Sequence, residues 1–358
     1  MSANPQLNLG RSMSTHLSLC LGDGTVYDSQ LTFKLSQSSN SEYDYDNDFD
    51  PDELYAELCG LINDVADSFQ SSDTDSLNQY YITKLAHMVY GSNMIESAGG
   101  DLDVTLQLCQ DVFEGKLVED AQLSDRDAVY QALKLQLMDH PHVHDAVLRS
   151  RREIFQHAQA AQYMITQVAI LGKHLSEEII LETHRLLTYK IDTEDGTPWS
   201  EYSGKYRNYA VSAGLTPFMH ERKVPSAMKD MIRSFESDIQ AAVHKGEIDP
   251  IALATKFCTT FVNIHPFGDG NGRVCRLILN SILFKYSGCL VSIGMNADDR
   301  KEYLNIAAEA SMMELSNDDF DDVPDEYKPK NYKKLASFTL KHALEGMHQV
   351  CQLLKREM

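Results

Sequence analysis

One stretch of the chain concentrates residues that do chemistry together: His265-Pro266-Phe267-Gly268-Asp269-Gly270-Asn271-Gly272-Arg273-Val274-Cys275-Arg276. His265, an imidazole whose ordinary pKa is about 6.5, can take the proton from an attacking hydroxyl. Asp269 supplies the hard oxygen ligands that hold Mg2+ between phosphates. Gly270, Asn271 and Gly272 let successive backbone N–H groups face one concavity, which suits an anion. Arg273 and Arg276, three apart, lie on roughly one helix face and can grip phosphate oxygens. A base, a metal ligand, an anion nest and two arginines outline a phosphoryl- or nucleotidyl-transfer site. The plain alternative is that Asp269-Gly270 and Asn271-Gly272 are two ordinary turn dipeptides linking helices.

The flanks weigh against that alternative. Residues 251–264 are apolar at helical spacing, and Val274, Leu277, Ile278, Leu279, Ile282, Leu283 and Phe284 are apolar nearly all round. A helix of the second kind is buried. The loop therefore joins two core helices and ends at the N-terminus of a central one, where the dipole is positive. Arginines are out of place there unless an anion compensates them.

On these residues the chain resembles the Fic family, whose signature H-x-F-x-[D/E]-G-N-G-R-x-x-R is matched at every specified position. The resemblance implies transfer of AMP from Mg-ATP to a Ser, Thr or Tyr hydroxyl of a protein. It implies His265 as general base and Asp269 as the Mg2+ ligand. Gly270, Asn271 and Gly272 would form the anion hole, with Arg273 on the β-phosphate and Arg276 on the γ-phosphate. Phe267 would anchor the loop in the core. Gly204-Lys205-Tyr206-Arg207 followed by Val211 resembles the start of a flap hairpin that pairs with a target by strand addition. Arg300 and Tyr303 resemble a later helix whose aromatic lies near the adenine, with Ser311 where many relatives carry Asn.

Upstream, Ser92-Asn93-Met94-Ile95-Glu96-Ser97 resembles the family's inhibitory motif, [S/T]-x-x-x-E-[G/N], with Ser97 departing at the last position. The implied logic is electrostatic: Glu96 pairs with Arg276 and denies it to the γ-phosphate. The bland reading is a polar helix end before the stop signal Ala98-Gly99-Gly100. Removal of AMP by the same site, or a donor such as UTP, GTP or CDP-choline, stays open. A non-catalytic binding scaffold is the weakest reading, because no catalytic position is broken.

The elements that must position these residues are mostly helical. The apolar period predicts helices over about 53–69, 77–95, 101–113, 125–137, 141–171, 176–189, 224–244, 249–263, 273–286, 298–312 and 331–356. Ser176 before Glu177-Glu178, and Asp249 before Pro250, are start signals. Residues 197–222 hold Gly204, Gly214 and Pro217 and read as one small hairpin. The expected fold is mainly α, a Fic-type helical bundle with a β-hairpin flap over the active site and a helical N-terminal extension.

Residues 1–52 read as a disordered, acidic N-terminal region, mobile over 1–15, with a hairpin within 16–35. Residues 53–145 form a helical segment with the inhibitory helix at about 80–97. The core would span 146–315, followed over 316–358 by an acidic loop at 318–326 and a C-terminal helix. His140, His142 and His144 fit no zinc spacing and read as a surface loop. Cys275 reads as core packing and Trp199 as an anchor for the flap base.

Composition bounds the partners. A net charge of -21 repels phosphate backbones and anionic lipid, so neither nucleic acid nor a membrane is the expected partner. ATP, a protein substrate and a second copy of the chain, since Fic proteins often dimerise, are the expected ones, with Mg2+ as cofactor. Seven cysteines without a Cys-x-x-Cys pair fit reduced thiols. With no evident signal peptide or transmembrane span, the expected location is cytoplasmic, or nuclear.

Overall fold

Leu9, Met13 and Leu17 recur every fourth residue and are buried, so the first described element is a helix, and residues 9–15 are not the mobile segment expected of them. The computed structural model describes residues 9–21, 26–28, 31–35, 42–45, 50–68, 75–118, 124, 126–213, 216–316 and 330–357. Its first elements are α1 (Leu9–Leu21), β1 (Val26–Asp28), β2 (Leu31–Leu35), α2 (Pro51–Ser68), α3 (Asp75–Ile95), α4 (Leu102–Phe113) and α5 (Ala128–Gln136). Then come α6 (Val143–Ile165), prolonged by a π turn over Thr166–Ile170, α7 (Glu177–Thr188), and the single-turn α8 (Trp199–Tyr202). The short strands β3 (Ser212–Ala213) and β4 (Thr216–Pro217) precede α9 (Val224–Lys245) and β5 (Glu247–Ile248). The chain closes with α10 (Pro250–Ile264), α11 (Asn271–Ser287), α12 (Ala297–Ser316) and α13 (Lys333–Glu357).

The architecture is mostly helical, as the apolar period predicts. Ser176 caps α7 by accepting the Ile179 N–H at 3.3 Å, and Asp249 caps α10 by accepting that of Ala252 at 3.0 Å. α11 is buried along its whole length, with only Gly272 less enclosed, and α10 packs against it. One hydrophobic cluster runs from Leu9 to Leu354 and joins the N-terminal helices to the rest. Two close approaches seat α3 against the loop before α12: a Cβ on Gly91 would lie 2.3 Å from the Ile293 carbonyl oxygen, and one on Gly294 2.6 Å from that of Gly91.

The N-terminal region departs from expectation. The alternation Leu17, Leu19, Leu21 suggests a strand, yet these residues lie in α1; the hairpin is β1–β2, with Val26 opposite Phe33. β2 then runs parallel to β5. The acidic stretch is also partly ordered. Tyr43 is buried, its hydroxyl donating to both Asp249 oxygens at 3.0 Å, and Ser337 exchanges hydrogen bonds with the backbone of Asp44. The acidic loop expected at 318–326 lies outside the described residues. Among those described, no helix is long and apolar enough to cross a membrane.

Candidate functional site

α10 ends at His265, whose backbone is left-handed at φ 50° and ψ 61°. That conformation costs a non-glycine residue roughly 1–2 kcal/mol and is over-determined by its surroundings. His265 Nδ1 lies 3.1 Å from the Val262 carbonyl oxygen, which can only accept, so Nδ1 carries the proton. Nε2 is left with its lone pair, the tautomer a base needs. The ring stacks on Phe218 of the flap at 3.8 Å. Burial lowers the imidazole pKa to about 4, so it is neutral near pH 7 without help.

The loop is held by its own side chains. Asn271 Oδ1 accepts the Phe267 N–H, and its Nδ2 donates to the Phe267 carbonyl, both at 2.9 Å. Phe267 is fully buried and stacks face to face on His184 at 3.7 Å. Gly204 N–H donates to His184 Nδ1, so Nε2 carries the proton and donates to the Asp269 carbonyl, each at 2.9 Å. Gly270 takes a left-handed φ of 80° that starts α11.

Beyond that turn the charges converge. Asp269 accepts the Gly270 N–H at 2.6 Å and pairs with Arg273 at 3.1 Å, its side chain still 39% exposed. Arg273 is buried, and its Nε has no acceptor. Such an orphaned donor beside an exposed carboxylate at a helix N-terminus suits an oxyanion and a hard cation. Among the described residues, no three His, Cys, Asp or Glu side chains converge as a metal cage. Any cation held by Asp269 would therefore need other oxygens, such as phosphate.

Arg276 reaches the other way, into α3. Its Nε donates to Ser92 Oγ at 2.8 Å, and its Nη2 to the Ser92 carbonyl at 3.0 Å and to Glu96 Oε1 at 2.6 Å. Burial works against the charge, but Tyr303 and Glu96 outweigh it and raise the guanidinium pKa. Glu96 also covers the start of α11, since a Cβ on Gly272 would lie 2.2 Å from Glu96 Oε1. The next residue, Ser97, is left-handed at φ 56°. This gives a physical reason for Gly or Asn at the last position of the motif that Ser92–Ser97 resembles.

Thus His265, Asp269, Gly270, Asn271, Gly272, Arg273, Arg276, Ser92 and Glu96 come together. Others land elsewhere. Tyr303 is buried behind Arg276, hydroxyl 3.4 Å from Nη1 and ring 5.5 Å from the guanidinium carbon, so it braces the arginine. Arg207 is buried, and its guanidinium is taken up by the protein's own carbonyls. It donates to the carbonyls of His265 at 2.7 Å and Tyr209 at 2.9 Å, and to those of Met219 and Ile264, tying flap to loop. Tyr206 packs near Phe267 at 5.8 Å. Val211 alone of the three belongs to the flap proper, its carbonyl accepting the Phe218 N–H at 3.1 Å. Ser311 donates to Asn263 Oδ1 at 3.0 Å. Phe218 and the loop-holding contacts of His184 carry no signal in the sequence that marks them. Only the helix Ser176–Leu187 hints at His184.

Residues 174–283 match the model of the Fic/DOC family. A Fido domain-containing protein of Dictyostelium discoideum is 33% identical over 101 residues, 28% of this chain and 66% of that one. Protein adenylyltransferase Fic of Drosophila virilis is 30% identical over 106 residues, 30% of this chain and 19% of that one. The match spans less than two thirds of either relative. In three dimensions a Fic domain-containing signaling protein from Bacteroides thetaiotaomicron aligns at TM-score 0.59 and 18% identity, covering 86% of this chain and 98% of that one.

Proposed function

Because this chain carries a Fic/DOC-family domain at residues 174–283, we propose that it is a protein adenylyltransferase held in a restrained state by Glu96. The observation that carries the reading is the carboxylate on Arg276. At the N-terminus of α11, where an anion is expected, Glu96 sits against Gly272 and takes a guanidinium donor at 2.6 Å. A site built for a polyphosphate is occupied in part by the protein's own anion.

With Glu96 withdrawn, Arg276 and the unpaired Nε of Arg273 face the phosphates, together with the backbone N–H groups at the head of α11. Mg2+, when bound, would neutralise charge on the phosphates, and Asp269 is the residue to hold it. His265 Nε2 takes the proton of a Ser, Thr or Tyr hydroxyl as that oxygen attacks the α-phosphorus. The new P–O bond forms as the bond to the bridging oxygen breaks, and pyrophosphate leaves. Among the described residues β3 pairs with β4 alone, which leaves its outer edge for an extended segment of the target.

The same geometry accommodates removal of AMP, because Glu96 is close enough to influence the charge of His265 and could orient a water. The substitution Glu96→Gly separates the two. Incubated with labelled ATP and Mg2+, it should raise self-labelling about tenfold or more over wild type, since losing a competing ion pair is worth at least about 1.4 kcal/mol. Adding His265→Ala should abolish the label. If no nucleotide donor gives a His265-dependent label, the transferase reading is wrong; if Glu96→Gly only destroys an AMP-removing activity, removal is the main reaction.

A further inference from the structure

The ion pair between Glu96 and Arg276 is only as firm as the helix end that presents Glu96. That residue is the first past α3, so its reach is set by the last turn of the helix. One side of the turn is fixed to α6. Asn93 Nδ2 donates to the Glu153 carbonyl at 3.2 Å, the Gly99 N–H donates to the Glu153 carboxylate at 2.8 Å, and Ser150 Oγ donates to the Gly99 carbonyl at 2.6 Å. The other side is fixed by one residue of α12. Arg300 Nε donates to the Met94 carbonyl at 3.1 Å and its Nη2 to the Ile95 carbonyl at 3.0 Å. These carbonyls belong to the negative end of α3, where a cation is favoured and the last acceptors have no partner within the helix.

Arg300 and Tyr303 are three apart on α12, and so share one of its faces. Tyr303 braces Arg276, while Arg300 braces the turn that carries Glu96. One helix thus supports both partners of the contact. Arg300 is itself reachable: it lines a cavity of about 760 Å3 with Tyr90, Met94, Ser97, Gly99 and Gln136, behind the turn and open to solvent.

We propose that Arg300 is a positioning residue of the restraint: by binding the Met94 and Ile95 carbonyls it holds Glu96 on Arg276, and losing it frees the nucleotide site while leaving every residue of that site in place. This role rests on the transferase reading and adds to it a control point outside the reacting groups. A half-exposed guanidinium competes with water for those carbonyls, and α6 still grips the turn. The effect should therefore be smaller than that of removing Glu96.

The test compares wild type, Arg300→Ala, Arg300→Lys, Glu96→Gly and the double variant Arg300→Ala/Glu96→Gly in labelled ATP and Mg2+, with His265→Ala as the blank. Arg300→Ala should raise self-labelling about fivefold, the range of two partly solvated charge-assisted hydrogen bonds. Arg300→Lys should fall between it and wild type, since one ammonium cannot span both carbonyls, and it carries the test if the alanine variant folds poorly. In the Glu96→Gly background Arg300→Ala should change nothing. Hydrogen exchange should report faster amides at residues 94–98 in Arg300→Ala and unchanged ones at 265–276. If Glu96→Gly activates while both Arg300 variants leave labelling and exchange as in wild type, the positioning role is refuted alone. It is refuted in the same way if Arg300→Ala activates equally without Glu96. No label in Glu96→Gly would bring down the positioning role together with the transferase reading.

Discussion

The loop from His265 to Arg276 and the turn from Ser92 to Gly99 meet at one ion pair, but they are built in opposite ways. The loop's contacts among its own residues and the end of α10 are short in sequence: Asn271 to Phe267, His265 to Val262 and Asp269 to Arg273 are each three or four residues apart, and His184 and Arg207 add clamps from 85 and 58 residues away. The turn's contacts are long: Asn93 reaches Glu153 across 60 residues, Glu96 reaches Arg276 across 180, and Arg300 reaches Met94 across 206. A segment fixed largely by its own sequence depends on few neighbours for its shape. A segment fixed by α6, α11 and α12 moves when any of them does. The proposed chemistry sits on the first kind and the proposed restraint on the second, which is where a regulated protein can place a lever at low energetic cost.

Acid is the broadest way to strain that arrangement. Burial lowers the pKa of His184 and His265 to about 4, and pushes His157, bonded to Asn93 beneath the turn, well down too. Each folded pKa lies below the unfolded value of about 6.5, so this stability is complete above that pH and is lost as pH falls toward 4, where only the unfolded chain takes up the protons. His184 and His265 are each worth about 2–3 kcal/mol across that window. Asp249 opposes them: burial raises its pKa to about 7, so its contribution grows as pH drops below 7. With His16, also lowered to about 4 by burial, these histidines outweigh the one raised carboxyl and predict a melting temperature that falls between about pH 6.5 and 4. A flat or rising curve would contradict the neutral, buried imidazoles.

A narrower break targets the loop alone. Arg207→Ala leaves four carbonyls of the loop and flap without their buried donor, which should cost about 3–5 kcal/mol in denaturant unfolding. Labelling should be lost in that variant and should stay lost when Glu96→Gly is added, because the restraint is not what failed. Recovery of activity in the double variant would mean that the loop's shape does not depend on this clamp.

The same contrast of short and long contacts governs how much is legible in the sequence. The helices flanking the loop, and the loop's eight signature positions, are written contiguously, and the structure places those elements within a few residues of the predicted bounds. α1 is hidden because two periods coexist in it: Leu17, Leu19 and Leu21 alternate, while Leu9, Met13 and Leu17 recur every four, and only packing chooses between them. The acidic composition around Tyr43 masks a buried hydroxyl whose partner, Asp249, lies 206 residues away. Arg207 resembles a surface flap residue because nothing local shows that four carbonyls wait for it. The resemblance sets Tyr303 near the adenine, while its contact with Arg276 is visible only in three dimensions.

The gentlest probe tightens the turn instead of loosening it. Ser97 holds φ at 56°, where an L side chain brings its Cβ against the following carbonyl, whereas glycine adopts this region freely. Glycine also gains freedom in the unfolded chain, which takes back part of the benefit. The balance for Ser97→Gly is a stabilisation of about 0.5–1 kcal/mol, concentrated in the segment that presents Glu96. A firmer turn keeps the carboxylate on Arg276 for more of the time, so basal labelling should drop about two- to fivefold. In the absence of Glu96 the same substitution should leave labelling unchanged. A rise in basal labelling would show that the strain at Ser97 holds the turn in place rather than opposing it, and would make the turn as self-determined as the loop.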